Sequence, residues 1–111
     1  MADLSQEQVE KLKVAHPGVE LHLVSVGGGE REVSVVVKVP NRERWMRFKN
    51  HVADPHRKSL AMESLVVDCV VHPSAAELGN LLEVRPGLAE TLGNQVAELA
   101  GLEETVVAKK L

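Results

Sequence analysis

A strand of alternating valines that runs into proline, followed by short segments each closed by another proline, most constrains what this chain can become. Val33, Val35, Val37 and Val39 recur at every second position before Pro40-Asn41, and the punctuation returns at Asp54-Pro55, His72-Pro73-Ser74 and Arg85-Pro86-Gly87. Proline has no N–H to give to a ladder or a helix interior, so each of these points marks the edge of an element. Residues 31–101 therefore read as one strand and then three or four helical segments, with no loop long enough to carry an active site.

Ahead of the strand, Ser5 with Gln8 three residues later has the pattern of a reciprocal helix cap, and Val9 and Leu12 share a helical face. The spacing predicts a short helix over 5–15, stopped by His16-Pro17-Gly18. Val19, Leu21 and Leu23 then alternate with Glu20, His22 and Ser25 as in a half-buried strand. Gly27-Gly28-Gly29 supplies a reversal, and the return strand covers 31–39 with Ser34, Val36 and Lys38 on its second face. A lone hairpin is marginal in water. This one must lie on its own helices, gain strands from another subunit, or both, and Val36 on the outer side favours a second covered surface.

Asn41 is a good cap for the next helix, where Trp45, Phe48 and Val52 make an inward stripe. Asp54-Pro55 reads as the opening of a further helix that is apolar on nearly every side from Leu60 to Val71. The β-branched part, 65–71, is open to a strand reading, but the longer apolar run favours helix. Ser74 and Glu77 form a second capping pattern ahead of Leu78, Leu81 and Leu82. Leu88, Leu92, Val96 and Leu99 then stripe a final helix closed by Gly101. The reading is α+β: an N-terminal β-hairpin packed on a compact bundle of three or four helices. Residues 1–18 form an N-terminal helical segment, 19–101 the hairpin and helical core as a single domain, and 102–111 a tail expected to fray.

Composition narrows function mainly by subtraction. A chain of 111 residues can bury a core without staples, and 44% hydrophobic with 26% charged residues is globular. One Trp, one Phe and no Tyr leave no platform for stacking bases. A formal net charge of -3 gives no overall attraction to nucleic acid or to anionic membrane. The start of the chain is acidic and lacks a hydrophobic signal core, no apolar stretch is long enough for a membrane span, and the single Cys69 suggests no secreted disulfide framework. Cytoplasmic residence is the expectation.

The chemistry-bearing residue types do not assemble into a reaction. Gly27-Gly28-Gly29 lacks the Lys-Ser or Lys-Thr of a phosphate loop and precedes a strand instead of a helix. Cys69 and His72, with His51 and His56, match no common zinc spacing. A nucleophilic Cys69 would need a base and an orienting group, and its apolar surroundings raise its pKa. The expectation is a protein that is not an enzyme and uses no cofactor or metal. A basic cluster remains: Arg42, Arg44, Arg47, Lys49, Arg57 and Lys58, with Arg44, Arg47 and His51 on one flank of the Trp45 helix. It suits a solvated face first, then an acidic protein partner or self-association with the acidic remainder of the chain, and last nucleic acid, because no recognition helix or specific motif accompanies the charge.

One resemblance adds to this. Val37-Lys38-Val39-Pro40 leads to Trp45-Met46-Arg47-Phe48 and Asp54-Pro55-His56-Arg57-Lys58. Leu65-Val66-Val67-Asp68-Cys69-Val70-Val71-His72-Pro73 follows, then Arg85-Pro86-Gly87-Leu88 and Leu99-Ala100-Gly101. In this block order, over residues 33–101, the chain resembles the short tail assembly chaperones of tailed bacteriophages and prophages. The resemblance implies a non-enzymatic protein of the bacterial host cytoplasm, absent from the mature particle. It would bind the tape measure protein, a long helical chain, and keep it soluble until the tail tube protein polymerises around it. It fixes no binding residues. From the sequence pattern, Leu88, Leu92, Val96 and Leu99, the hairpin face at Val36, and Arg44 and Arg47 are the candidates for contact with a client or with further copies in a homo-oligomer. The competing readings are a small structural or adaptor subunit of a phage-like particle and a nucleic-acid-binding regulator using residues 42–58.

Overall fold

The computed structural model describes residues 4–101 and 107–111. Helix α1 (Gln6–Ala15) starts at the reciprocal cap: Ser5 Oγ accepts the Gln8 N–H at 3.1 Å while Gln8 Oε1 accepts the Ser5 N–H at 2.9 Å. It stops where Gly18 takes φ 73°, a conformation strained for any residue with a Cβ. Strands β1 (Leu21–Val26) and β2 (Val33–Lys38) then pair antiparallel, Leu21 opposite Lys38 and Val26 opposite Val33. Gly27 at φ 81° and a 3-10 turn, Gly29–Arg31, make the reversal. A Cβ on Gly27 would sit 3.0 Å from the Arg31 carbonyl oxygen, so this bend closes only around glycine.

The hairpin is two-thirds of a larger sheet. Strand β3 (Val70–His72) pairs antiparallel with the other side of β2, Val36 opposite His72 and Val37 opposite Val70, with an irregularity between the two pairs. This corrects the reading of 60–71 as one helix. Helix α3 (Ala61–Cys69) ends at Cys69. Val70 and Val71 are β-branched, His72 is pushed toward extended backbone by Pro73, and the open side of β2 offers the hydrogen bonds that a further helical turn would otherwise supply. The start of that helix is also displaced. Asp54 and Pro55 form a turn, with Asp54 Oδ1 accepting the His56 N–H at 2.9 Å and the Asp54 carbonyl accepting from Arg57 and Lys58. A 3-10 turn, Lys58–Leu60, intervenes before α3.

Helix α2 (Arg42–Ala53) is capped by Asn41, whose Oδ1 accepts the Arg44 N–H at 2.9 Å. Trp45 and Phe48, their ring centroids 5.2 Å apart, lean half-buried on the core. The predicted stripe ends there, because Val52 is 41% exposed. Helix α4 (Ala75–Val84) has half of the expected box: Ser74 Oγ accepts the Glu77 N–H at 3.3 Å, and the Glu77 carboxylate returns to that hydroxyl instead of to the Ser74 N–H. Helix α5 (Leu88–Leu99) has no side-chain cap and is ended by Gly101 at φ 103°.

The class is α+β. Its core joins Val33, Val35 and Val37 of β2 to Leu65, Val66 and Cys69 of α3, Leu78 and Leu82 of α4, and Leu88, Leu92 and Val96 of α5. Each fully buried Val or Leu contributes roughly 1.5–3 kcal/mol relative to exposure. Gly93 lets α5 settle on α3, for a Cβ there would meet Met62 Cε at 3.0 Å. The face of β1 turned to this core is the reverse of the predicted one. Val24 and Val26 oppose Val35 and Val33 and pack with them, whereas Leu21 and Leu23 oppose Lys38 and Val36 on the outer side. The apolar pattern of β1 changes phase at Leu23-Val24, and the valine face of β2 selects the second half of it. Residues 107–111 are exposed and carry no helix or strand, and the rest of the predicted tail, 102–106, lies outside the described residues.

Candidate docking groove

The outer side of the hairpin and α1 together make a mainly apolar recess. Leu21 and Leu23 come from β1, Val36 from β2, and Leu4, Val9 and Leu12 from the N-terminal arm. Alternation in the strands and three-residue spacing in the helix aim the two sets at each other. They do not close the space between them, which is about 250 Å³. Val36 is 6% exposed, but Leu23 beside it is 62% exposed. The polar members Lys13, His22 and Ser34 complete the lining. Ser25 and Ser34 share a hydroxyl–hydroxyl hydrogen bond of 3.0 Å across the hairpin, which keeps this end of the outer face polar.

Of the residues singled out from sequence, only Val36 lies in this groove. Leu88, Leu92 and Val96 are core, with Leu99 half-buried at its margin, so the final-helix stripe presents no open surface in this fold. The reason is the short α3 beneath it, which needs an apolar partner along its whole length. Arg44 is half-buried on α2. Arg47 bridges helices: its Nη1 lies 3.1 Å from Asp68 Oδ2 on α3 and its Nη2 3.6 Å from Glu43 Oε1. Arg57 faces Asp54 at 3.8 Å. The basic cluster is thus partly committed to internal ion pairs. Leu21, Leu23, Val9 and Leu12 were the residues that sequence reasoning did not assign to a contact surface. The available signal was apolar character on both faces of β1.

Cys69 is fully buried at the end of α3. Burial first and the adjacent Asp68 carboxylate second push its thiol up to about 11 against opposing pulls from Lys38 and Arg44. At neutral pH it is a protonated, inert packing group. Among the described residues no group of three or more His, Cys, Asp or Glu is arranged to hold a metal ion. No described helix is long and apolar enough to cross a membrane.

Fold and groove define a small α+β domain whose distinctive surface is apolar and sits between a sheet and a helical arm. The chain belongs to the DUF6848 family, a domain of unknown function, which it matches over residues 7–109. That span takes in nearly all of α1, which lies outside the 33–101 block carrying the chaperone resemblance. A solved structure of the uncharacterised protein RBSTP2171 from Bacillus stearothermophilus shares the fold at a TM-score of 0.74 and 21% identity, covering 91% of this chain and 99% of that one. No curated protein gives a significant match.

Proposed function

We propose that this domain is a non-enzymatic holdase whose hairpin, seated on the helices by its inner face, offers its outer face to an apolar stripe of a long helical client. Following the resemblance in residues 33–101, the client is the tape measure protein of a phage-like tail. The domain then acts in the host cytoplasm, as a monomer or homo-oligomer, and leaves before the particle is finished. The observation that supports this reading best is Leu23, a large apolar side chain left mostly in water beside the nearly sealed Val36. Exposed apolar recesses of this kind suit the face of an amphipathic helix.

Co-expression with the candidate tape measure protein tests it through the soluble fraction of that protein. Wild type is expected to keep the client soluble, and Leu23→Asp to lose that effect while melting normally, since the exposed side chain is outside the core. If Leu23→Asp protects the client as well as wild type does, the groove is not the client site. Finding the chain in purified particles would favour the structural-subunit alternative.

A further inference from the structure

We infer that α1 is a displaceable lid over the groove, so that the domain carries its own competitor for the surface a client would use. The inference rests on the groove being that surface. Three observations carry it. No residue of α1 is buried, although the helix is ten residues long. It gives the groove two apolar side chains, Val9 and Leu12, with Lys13 beside them and Leu4 just ahead of its cap, facing Leu21, Leu23 and Val36 across a space left unfilled. It is joined to β1 through Pro17 and Gly18, the latter at φ 73°, while the sheet re-engages at once beyond that joint: the Val39 N–H donates to the Glu20 carbonyl at 3.1 Å.

Helix α1 can leave without unravelling. Its cap is reciprocal, Gln6 Nε2 donates to Glu10 Oε1 at 2.9 Å, and Lys11 Nζ lies 3.6 Å from Glu7 Oε1. All of these contacts are internal to the arm, so opening at Pro17-Gly18 costs the apolar contacts at its underside and the long 3.4 Å hydrogen bond from the Val19 N–H to the His16 carbonyl across the joint. A client helix that fills the strip better than Leu4, Val9 and Leu12 do replaces it, and the arm covers the strip again when the client departs.

The test uses the full chain and the dye 8-anilinonaphthalene-1-sulfonate, which brightens on exposed apolar surface. In wild type, α1 amides are expected to exchange hydrogen about 100-fold or more faster than those of β2, the signature of a low-stability element. Val9→Asp with Leu12→Asp should raise dye emission several-fold with the thermal midpoint nearly unmoved, and adding Leu23→Asp should remove the rise. The inference is overturned if emission does not rise, if the rise survives Leu23→Asp, or if α1 amides are as protected as those of β2. Should the double variant lose its cooperative melt, Leu12→Ala replaces it, and an unchanged emission there overturns the lid. None of these readouts involves a client: a fixed α1 with a Leu23-dependent client sinks the lid alone, and an opening α1 with an indifferent client sinks the client site alone.

Discussion

Helices α1 and α5 are near equals in length and opposites in what holds them. The first, of ten residues, has a full reciprocal cap and two i,i+4 side-chain contacts but buries nothing. The second, of 12 residues, begins at an uncapped Gly87 and buries Leu88, Leu92, Gly93, Val96 and Ala97. Local capping is worth about 1 kcal/mol, whereas one buried leucine is worth more than that and α5 has two. A helix supported by its own contacts can detach as a unit. One supported by neighbours is part of the global fold.

The largest effect that would break this contrast is in α5. Leu92→Ala is expected to cost about 3–4 kcal/mol in a urea melt, because it opens a cavity in the core where α5 packs on α3; a loss under about 1 kcal/mol would mean that α5 is as loosely held as α1. Next comes pH. The Cys69 thiol titrates at about 11 in the folded chain and at the ordinary 9.0 when unfolded. Between those values the unfolded state has already released the proton that the folded state retains, so stability falls as pH rises through this window, by about 2–3 kcal/mol, and is unaffected below it. Replacing Cys69 by Ala should flatten that slope. Arg47→Ala, which removes the Asp68 contact at a half-exposed site, is expected to cost under about 1 kcal/mol, and the loss should shrink in high salt. Smallest in a global melt is Ser5→Ala: roughly 1 kcal/mol of local helix stability disappears, visible as faster exchange of α1 amides with the unfolding midpoint unchanged. A shifted midpoint would show α1 to be coupled to the core.

Much of this architecture was legible because it is written locally. Ser5 with Gln8, Asn41 before Arg42, Gly18 and Gly101 at positive φ, and the valine alternation of β2 each specify a boundary or face through nearest-neighbour sterics and capping. What escaped was decided at a distance. Val70 and Val71 became strand because β2 had a side to pair, and Leu21 lost the core face to Val24 because β2 fixed the register. Leu88, Leu92 and Val96 have the same spacing whether a stripe meets a client or a neighbouring helix. Spacing shows that a side chain is aimed, and only packing shows at what.

Trp45 and Phe48 have a practical corollary. With one Trp and no Tyr in the chain, near-ultraviolet absorption and emission come essentially from Trp45, and that indole sits on α2 with the Phe48 ring 5.2 Å away. The intrinsic optical signal therefore monitors how α2 rests on the interior, whereas the amino-terminal arm carries no Trp or Tyr of its own. Events in that arm are therefore followed directly by a label placed on it or by nuclear resonance.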